Sequence, residues 1–138
     1  MVDSSSENVV LSPNVLGPWA ESIGLEFTHV APDEVQATWR VTAALTQPYG
    51  LLHGGVHCSV VETLSSLGAS IWLGERGKVV GVSNSTSFFR PCVVGDLLSS
   101  IARPIEQSPD RQVWQVNTSS ERRGLVAQGT VRLHHLLN

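Results

Sequence analysis

Polar and apolar residues alternate with a period of two over much of the chain. Val35, Ala37, Trp39 and Val41 interleave with Gln36, Thr38, Arg40 and Thr42, which predicts a strand with one buried face. Leu25 to Val30 reads as the strand before it, and Ala31-Pro32-Asp33-Glu34 supplies the turn of a hairpin. From Val56 the rhythm changes. Val60, Leu64, Leu67 and Ile71 recur at spacings of four, four, three and four, the period of an amphipathic helix, which should end near Gly74. Small residues crowd this helix (Ser59, Ser65, Ser66, Gly68, Ala69, Ser70), so a neighbour can pack close to it. Four more strands are expected: Lys78 to Phe89, Leu97 to Ile105, Gln112 to Ser119, and a last one whose apolar face is Leu125, Ala127, Gly129, Val131 and Leu133. A short helix should start at Pro13-Asn14 and run through Trp19 to Ile23, stopping at Gly24. Residues 1–13 are polar, Ser-rich and expected to be flexible; residues 14–138 form a single domain. Runs of strands around one long helix indicate an α+β fold with a largely antiparallel sheet.

Composition adds an expectation about assembly. Hydrophobic residues make up 41% of the 138 and charged ones only 15%, against an average near 25%. So little charge suggests that some surface is hidden in an oligomer. The formal net charge of −3 argues against a general nucleic-acid binder. The charge is lopsided: up to Trp39 there are six acidic residues and no Lys or Arg, whereas from Arg40 onward six acidic residues meet nine basic ones. The later part could therefore meet an anion. No early positive charge marks a leader and no apolar run reaches the length of a membrane span, so a cytoplasmic protein is expected. Cys58 and Cys92 read as two small buried thiols.

Two features could carry chemistry. Between Val41 and Gly74 the only charged side chain is Glu62, inside the amphipathic helix. It is either a solvent-facing residue on the open side of the helix or a working carboxylate; polar helix faces normally show several charges. Gly54-Gly55, at the start of the same helix, permits close approach to backbone N–H groups at a positive helix end, a site for a developing oxyanion. It can equally be a tight turn. His53, His57 and Cys58 raise the question of a metal, but Glu62 lies about 140° around the helix from His57, so the side chains do not converge and none is expected. Glu62 is eight residues beyond Gly54, about 12 Å along the axis, so one chain does not easily bring both to one reacting atom. If they act together, the site uses two chains.

The run Gln47-Pro48-Tyr49-Gly50-Leu51-Leu52-His53-Gly54-Gly55, followed by Glu62-Thr63, resembles the hotdog-fold acyl-CoA thioesterases of the phenylacetate-degradation and 4-hydroxybenzoyl-CoA type. The likeness continues through Val79-Val80-Gly81, Arg90-Pro91 and the Arg111 to Trp114 strand. It implies a long central helix wrapped by a curved, mainly antiparallel sheet of five to six strands. It implies a homodimer as the minimal active unit, often paired into a homotetramer, and hydrolysis of acyl-CoA without metal or cofactor. Carried over residue by residue, Glu62 is nucleophile or general base, and the Gly54 N–H polarises the thioester oxygen. Gln47 orients the carbonyl or water, His53 holds the loop, and Ser66 bonds a water or the carboxylate. Tyr49, Gly55, Thr63, Phe89 and Arg90 are the substrate-binding candidates, with Arg90 first among Arg103, Arg111, Arg122 and Arg123 for the phosphates of coenzyme A. Some relatives carry a His pair where this chain has Phe88-Phe89; two aromatics there form either an apolar wall or ordinary core, and core is the preferred reading. The alternatives are a non-catalytic acyl-CoA-binding module and, more weakly, a dehydratase or hydratase.

Overall fold

A computed structural model describes residues 16–138. The flexible segment expected over residues 1–13 and the helix start at Pro13-Asn14 lie outside the described residues. The first helix, α1 (Pro18–Ile23), has proline in its first turn and ends at Gly24, whose φ of 80° lets its N–H reach the Glu21 carbonyl at 2.9 Å. The expected hairpin follows as β1 (Glu26–Ala31) and β2 (Glu34–Arg40), with Val35, Ala37 and Trp39 buried on one face.

The long helix α2 spans Gly54–Leu73 and stops at Gly74 in the left-handed region (φ 62°). Four strands come after it: β3 (Gly77–Phe88), β4 (Leu97–Gln107), β5 (Arg111–Ser120) and β6 (Gly124–Leu137). All six strands form one antiparallel sheet in the order β1-β2-β4-β5-β6-β3, and α2 touches every one of them. Two glycines let the helix lie this close. A Cβ on Gly68 would stand 2.3 Å from the Trp114 ring, and one on Gly129 would stand 2.8 Å from Val61. Trp39, Trp114, Val60, Leu64, Leu98 and Leu133 fill the space between helix and sheet.

Within the sheet and at the cysteines, the structure departs from the sequence reading in three places. Strand β4 does not stop by Ile105. Pro104 still faces Trp114, Ile105 bulges out, and pairing resumes at Glu106 opposite Val113, so the strand passes its proline by way of a bulge at the next residue. On β6 the inner face is not continuous. Thr118 faces Ala127 but Ser119 faces Leu125, so Val126 is the extra residue; it is buried, and Leu125 is left half-buried. Cys92 is buried as expected, whereas Cys58 is only half-buried.

The sheet has two edges, β1 and β3. Strand β3 is exposed along most of its length, Val80 and Val82 included. Among the described residues, no helix is long and apolar enough to cross a membrane.

Candidate active site

The loop before α2 is tied down where it meets the helix. The His53 N–H donates to the Leu45 carbonyl at 2.9 Å and the Leu52 N–H to the Cys92 carbonyl at 2.8 Å. Gly50, at φ 81°, makes the turn ahead of them and donates to the Gln47 carbonyl. Gln47 organises this loop with its side chain, whose Oε1 accepts from the N–H groups of Tyr49 and Leu51. With its oxygen so engaged, the Gln47 NH2 is the end left to donate elsewhere.

His53 caps α2: its Nδ1 accepts from the Gly55 N–H at 2.8 Å, and the Val56 N–H donates to the His53 carbonyl at 3.0 Å. A helix start leaves several donors without intrahelical partners. Here Gly55 and Val56 are served, while the Gly54 N–H makes no hydrogen bond among the described residues. Gly54 faces an open cleft of about 320 Å³, bounded by the Gln47 loop on one side and by Phe88 to Cys92 on the other. The glycine lets Phe88 lie against the helix start: a Cβ there would stand 2.6 Å from the Phe88 ring and push it aside.

Phe88 and Phe89 are not core. They are 51% and 49% exposed and form a wall of the cleft, since β3 is an edge strand that ends at Phe88. Arg90 stands at the same wall and donates through Nη1 to the Leu125 carbonyl. The other arginines considered for phosphates are paired: Arg103 with Glu34, Arg111 with Glu106, and Arg122 and Arg123 with Asp96. Asp96 is itself buried. Burial works against its charge, yet the Val93 N–H and Arg123 hold its carboxyl below the ordinary range.

The remaining candidates lie outside the cleft of this chain. Glu62 is exposed on α2, its carboxylate alongside Gly81 of β3. Ser66 and Thr63 are half-buried near it on the helix, Gly55 is exposed, and Tyr49 is 88% exposed at the tip of its loop. The structure thus brings together Gln47, Gly54, Phe89 and Arg90, with His53 beneath them as the cap, and leaves Glu62, Ser66, Thr63 and Tyr49 apart. Among the described residues no cluster of three or more His, Cys, Asp and Glu is placed to hold a metal.

Sequence reasoning missed His57, weighing it only as a metal ligand. It is 4% exposed and lines the cleft, with Trp39 against its edge and Phe88 stacked at 5.7 Å. Burial pushes its pKa down to about 4. Its position three residues beyond Gly54, on the same side of the helix, was the available signal.

A free donor at a helix start, a facing amide and an apolar wall thus meet in one cleft. Comparison with known proteins gives the family. A family model described as thioesterase superfamily matches residues 49–127. The chain belongs to that superfamily. The solved structure of AziG from S. sahachiroi superposes with a TM-score of 0.86 at 52% identity, covering 89% of this chain and 99% of that one. Rv1847 of Mycobacterium tuberculosis is 38% identical over 126 residues, 89% of each chain. An Escherichia coli relative, 28% identical over 100 residues (72% of this chain and 73% of the relative), is a 1,4-dihydroxy-2-naphthoyl-CoA hydrolase. The chain is accordingly a hydrolase of thioester bonds, and its long helix on a six-stranded antiparallel sheet is the hotdog fold.

Proposed function

We propose that the protein hydrolyses acyl-CoA at a site completed by a second copy of the chain. The observation that carries this reading is the Gly54 N–H, unpaired at the positive end of α2 and open to a largely apolar cleft. A thioester oxygen placed there gains charge as the carbonyl carbon is attacked, and the donor is already in position to meet it. The free NH2 of Gln47 supplies a second donor. Leu51, Phe88 and Phe89 take the acyl group, and Arg90 stands at the mouth for a phosphate.

The attacking group is Glu62 of the second copy, because this chain's own Glu62 lies outside the cleft. The exposed β3 edge supports such a dimer, since pairing two edges removes both from solvent. Tyr49 and Thr63 would then close over the substrate, and Ser66 would bond the carboxylate or a water. A tetramer is a pair of such dimers. Glu62 acts in one of two ways. As nucleophile it forms an anhydride with the acyl group, expels the thiolate of coenzyme A, and is freed by water. As base it takes a proton from water, which attacks the carbonyl and expels the same thiolate. In oxygen-18 water under single turnover, label in the Glu62 carboxyl marks the first route, with water opening the anhydride at the Glu62 carbon.

Release of coenzyme A, followed with a thiol reagent across an acyl-CoA panel, tests the proposal. Glu62→Gln should keep the fold and lose about a hundredfold or more in kcat. Wild-type turnover in that variant would refute the role of Glu62. Binding of acyl-CoA without hydrolysis by the unaltered protein would favour the non-catalytic alternative.

A further inference from the structure

The strap that joins β3 to β4, residues 89–96, serves the cleft twice. Its first half, Phe89 to Cys92, is one wall. It also holds the approach to the helix start: the Leu52 N–H donates to the Cys92 carbonyl at 2.8 Å, and Leu51 is bridged to Val93. His53 and Gly54 follow directly. The position of the strap therefore helps set the position of the Gly54 donor. The strap ends in a tight turn closed by Asp96, whose N–H donates to the Val93 carbonyl and whose Oδ2 accepts from the Val93 N–H, both at 3.0 Å. Backbone bonds with Val41 hold this turn to the end of β2. A third tie is ionic. Asp96 Oδ2 also accepts from Arg123 Nε at 2.7 Å, which fastens the strap to the turn between β5 and β6. Asp96 Oδ1 makes no hydrogen bond among the described residues and lies 3.6 Å from Arg122 Nη1.

The turn alone does not call for a charge, since an asparagine side chain accepts a backbone N–H equally well. The Asp96 side chain is 1% exposed, and a carboxylate so buried is costly unless an opposite charge meets it. What the charge adds is the hold on Arg123. We infer that Asp96 is a positioning residue of the reaction: paired with Arg123, it keeps the strap seated against the loop and so keeps the Gly54 N–H where the thioester oxygen must arrive. This rests on the acyl-CoA thioesterase reading above and deepens its account of that site. Neither Asp96 nor Arg123 lines the cleft, so both act through Cys92, Leu52 and Gly54. A donor that drifts by about an ångström loses up to a hundredfold in rate, because it no longer meets the oxygen as charge develops.

Arg123 is one-quarter exposed, so Arg123→Gln removes the hold without opening the core. In the full chain, folded by circular dichroism, that variant should lose about tenfold or more in kcat for acyl-CoA hydrolysis while KM stays within about twofold. Amide hydrogen exchange at Leu52 should speed up by about tenfold or more relative to Leu64 in the middle of α2. Arg123→Lys, which restores the charge, should recover part of both. Asp96→Asn, which keeps the acceptor of the turn, should show the same pattern and carries the test if Arg123→Gln does not fold. Combining the two substitutions should add little, since the pair acts as one unit. A merely structural pair would lower the urea midpoint and leave kcat per folded molecule unchanged. Normal kcat in the folded variants, a loss confined to KM, or unchanged relative exchange at Leu52 overturns the inference and leaves the thioesterase reading standing. Failure of the unaltered protein to release coenzyme A from any acyl-CoA overturns both.

Discussion

His57 is held neutral by burial, and that links one side chain to the pH range in which the protein stays folded. Its pKa falls from 6.5 to about 4 on folding, so the unfolded chain binds the proton more readily. The associated stability is whole above pH 6.5 and is lost as pH falls towards 4, an effect of about 3 kcal/mol. Urea midpoints at pH 7 and pH 4.5 should show this loss in the unaltered protein and a much smaller one in His57→Phe. Glu34, lowered mainly by its hydrogen bond from Arg103, and Asp96, lowered against the pull of burial, are present in both proteins, so the comparison with His57→Phe isolates the histidine. Residue chemistry was only partly legible in the sequence. Gly54 and Gln47 stood out because they sit in one short loop. His57 did not, because what defines it is Phe88, 31 positions away. Hydrophobicity likewise placed Phe88 and Phe89 in the core; it does not reveal that their strand is the last of the sheet.

Among the elements, α2 was the most legible, with glycines marking its limits and an apolar stripe between them. Its seating on the sheet depends on residues that barely register in such a pattern. Gly68 meets the Trp114 ring, and the Gln112 side chain beside it is fully buried, its Nε2 donating to the Ala69 carbonyl at 3.0 Å while its Oε1 accepts from Trp114 Nε1 at 2.8 Å. Gly68→Ala should push helix and sheet apart and destabilise the fold by about 1–3 kcal/mol, read as a lower urea midpoint with an unchanged m-value. The bulges at Ile105 and Val126 were illegible for a related reason. A bulge is set by the register of a neighbouring strand, and the sequence of one strand does not contain it.

At the scale of the molecule, the distance along α2 separates the donor from the carboxylate, so each copy would give its Gly54 to one site and its Glu62 to another. Subunit complementation tests this. Glu62→Gln and Gly54→Ala should each be nearly inactive alone. Co-expressed, they should form mixed dimers with one intact site, restoring about a quarter of normal activity per subunit if mixing is random. No restoration in dimers shown to be mixed would mean that each chain works by itself.

Strand β3 offers twelve residues of open backbone and a single charge, Lys78. Natural sheet edges are commonly guarded by charges, prolines or a covering loop. An edge this bare joins whichever strand reaches it first. In the proposed dimer the right strand belongs to an identical neighbour, so the supply of fresh copies would compete directly with misassembly. Protein yield should therefore depend on how fast the chain is synthesised as well as on how well it folds.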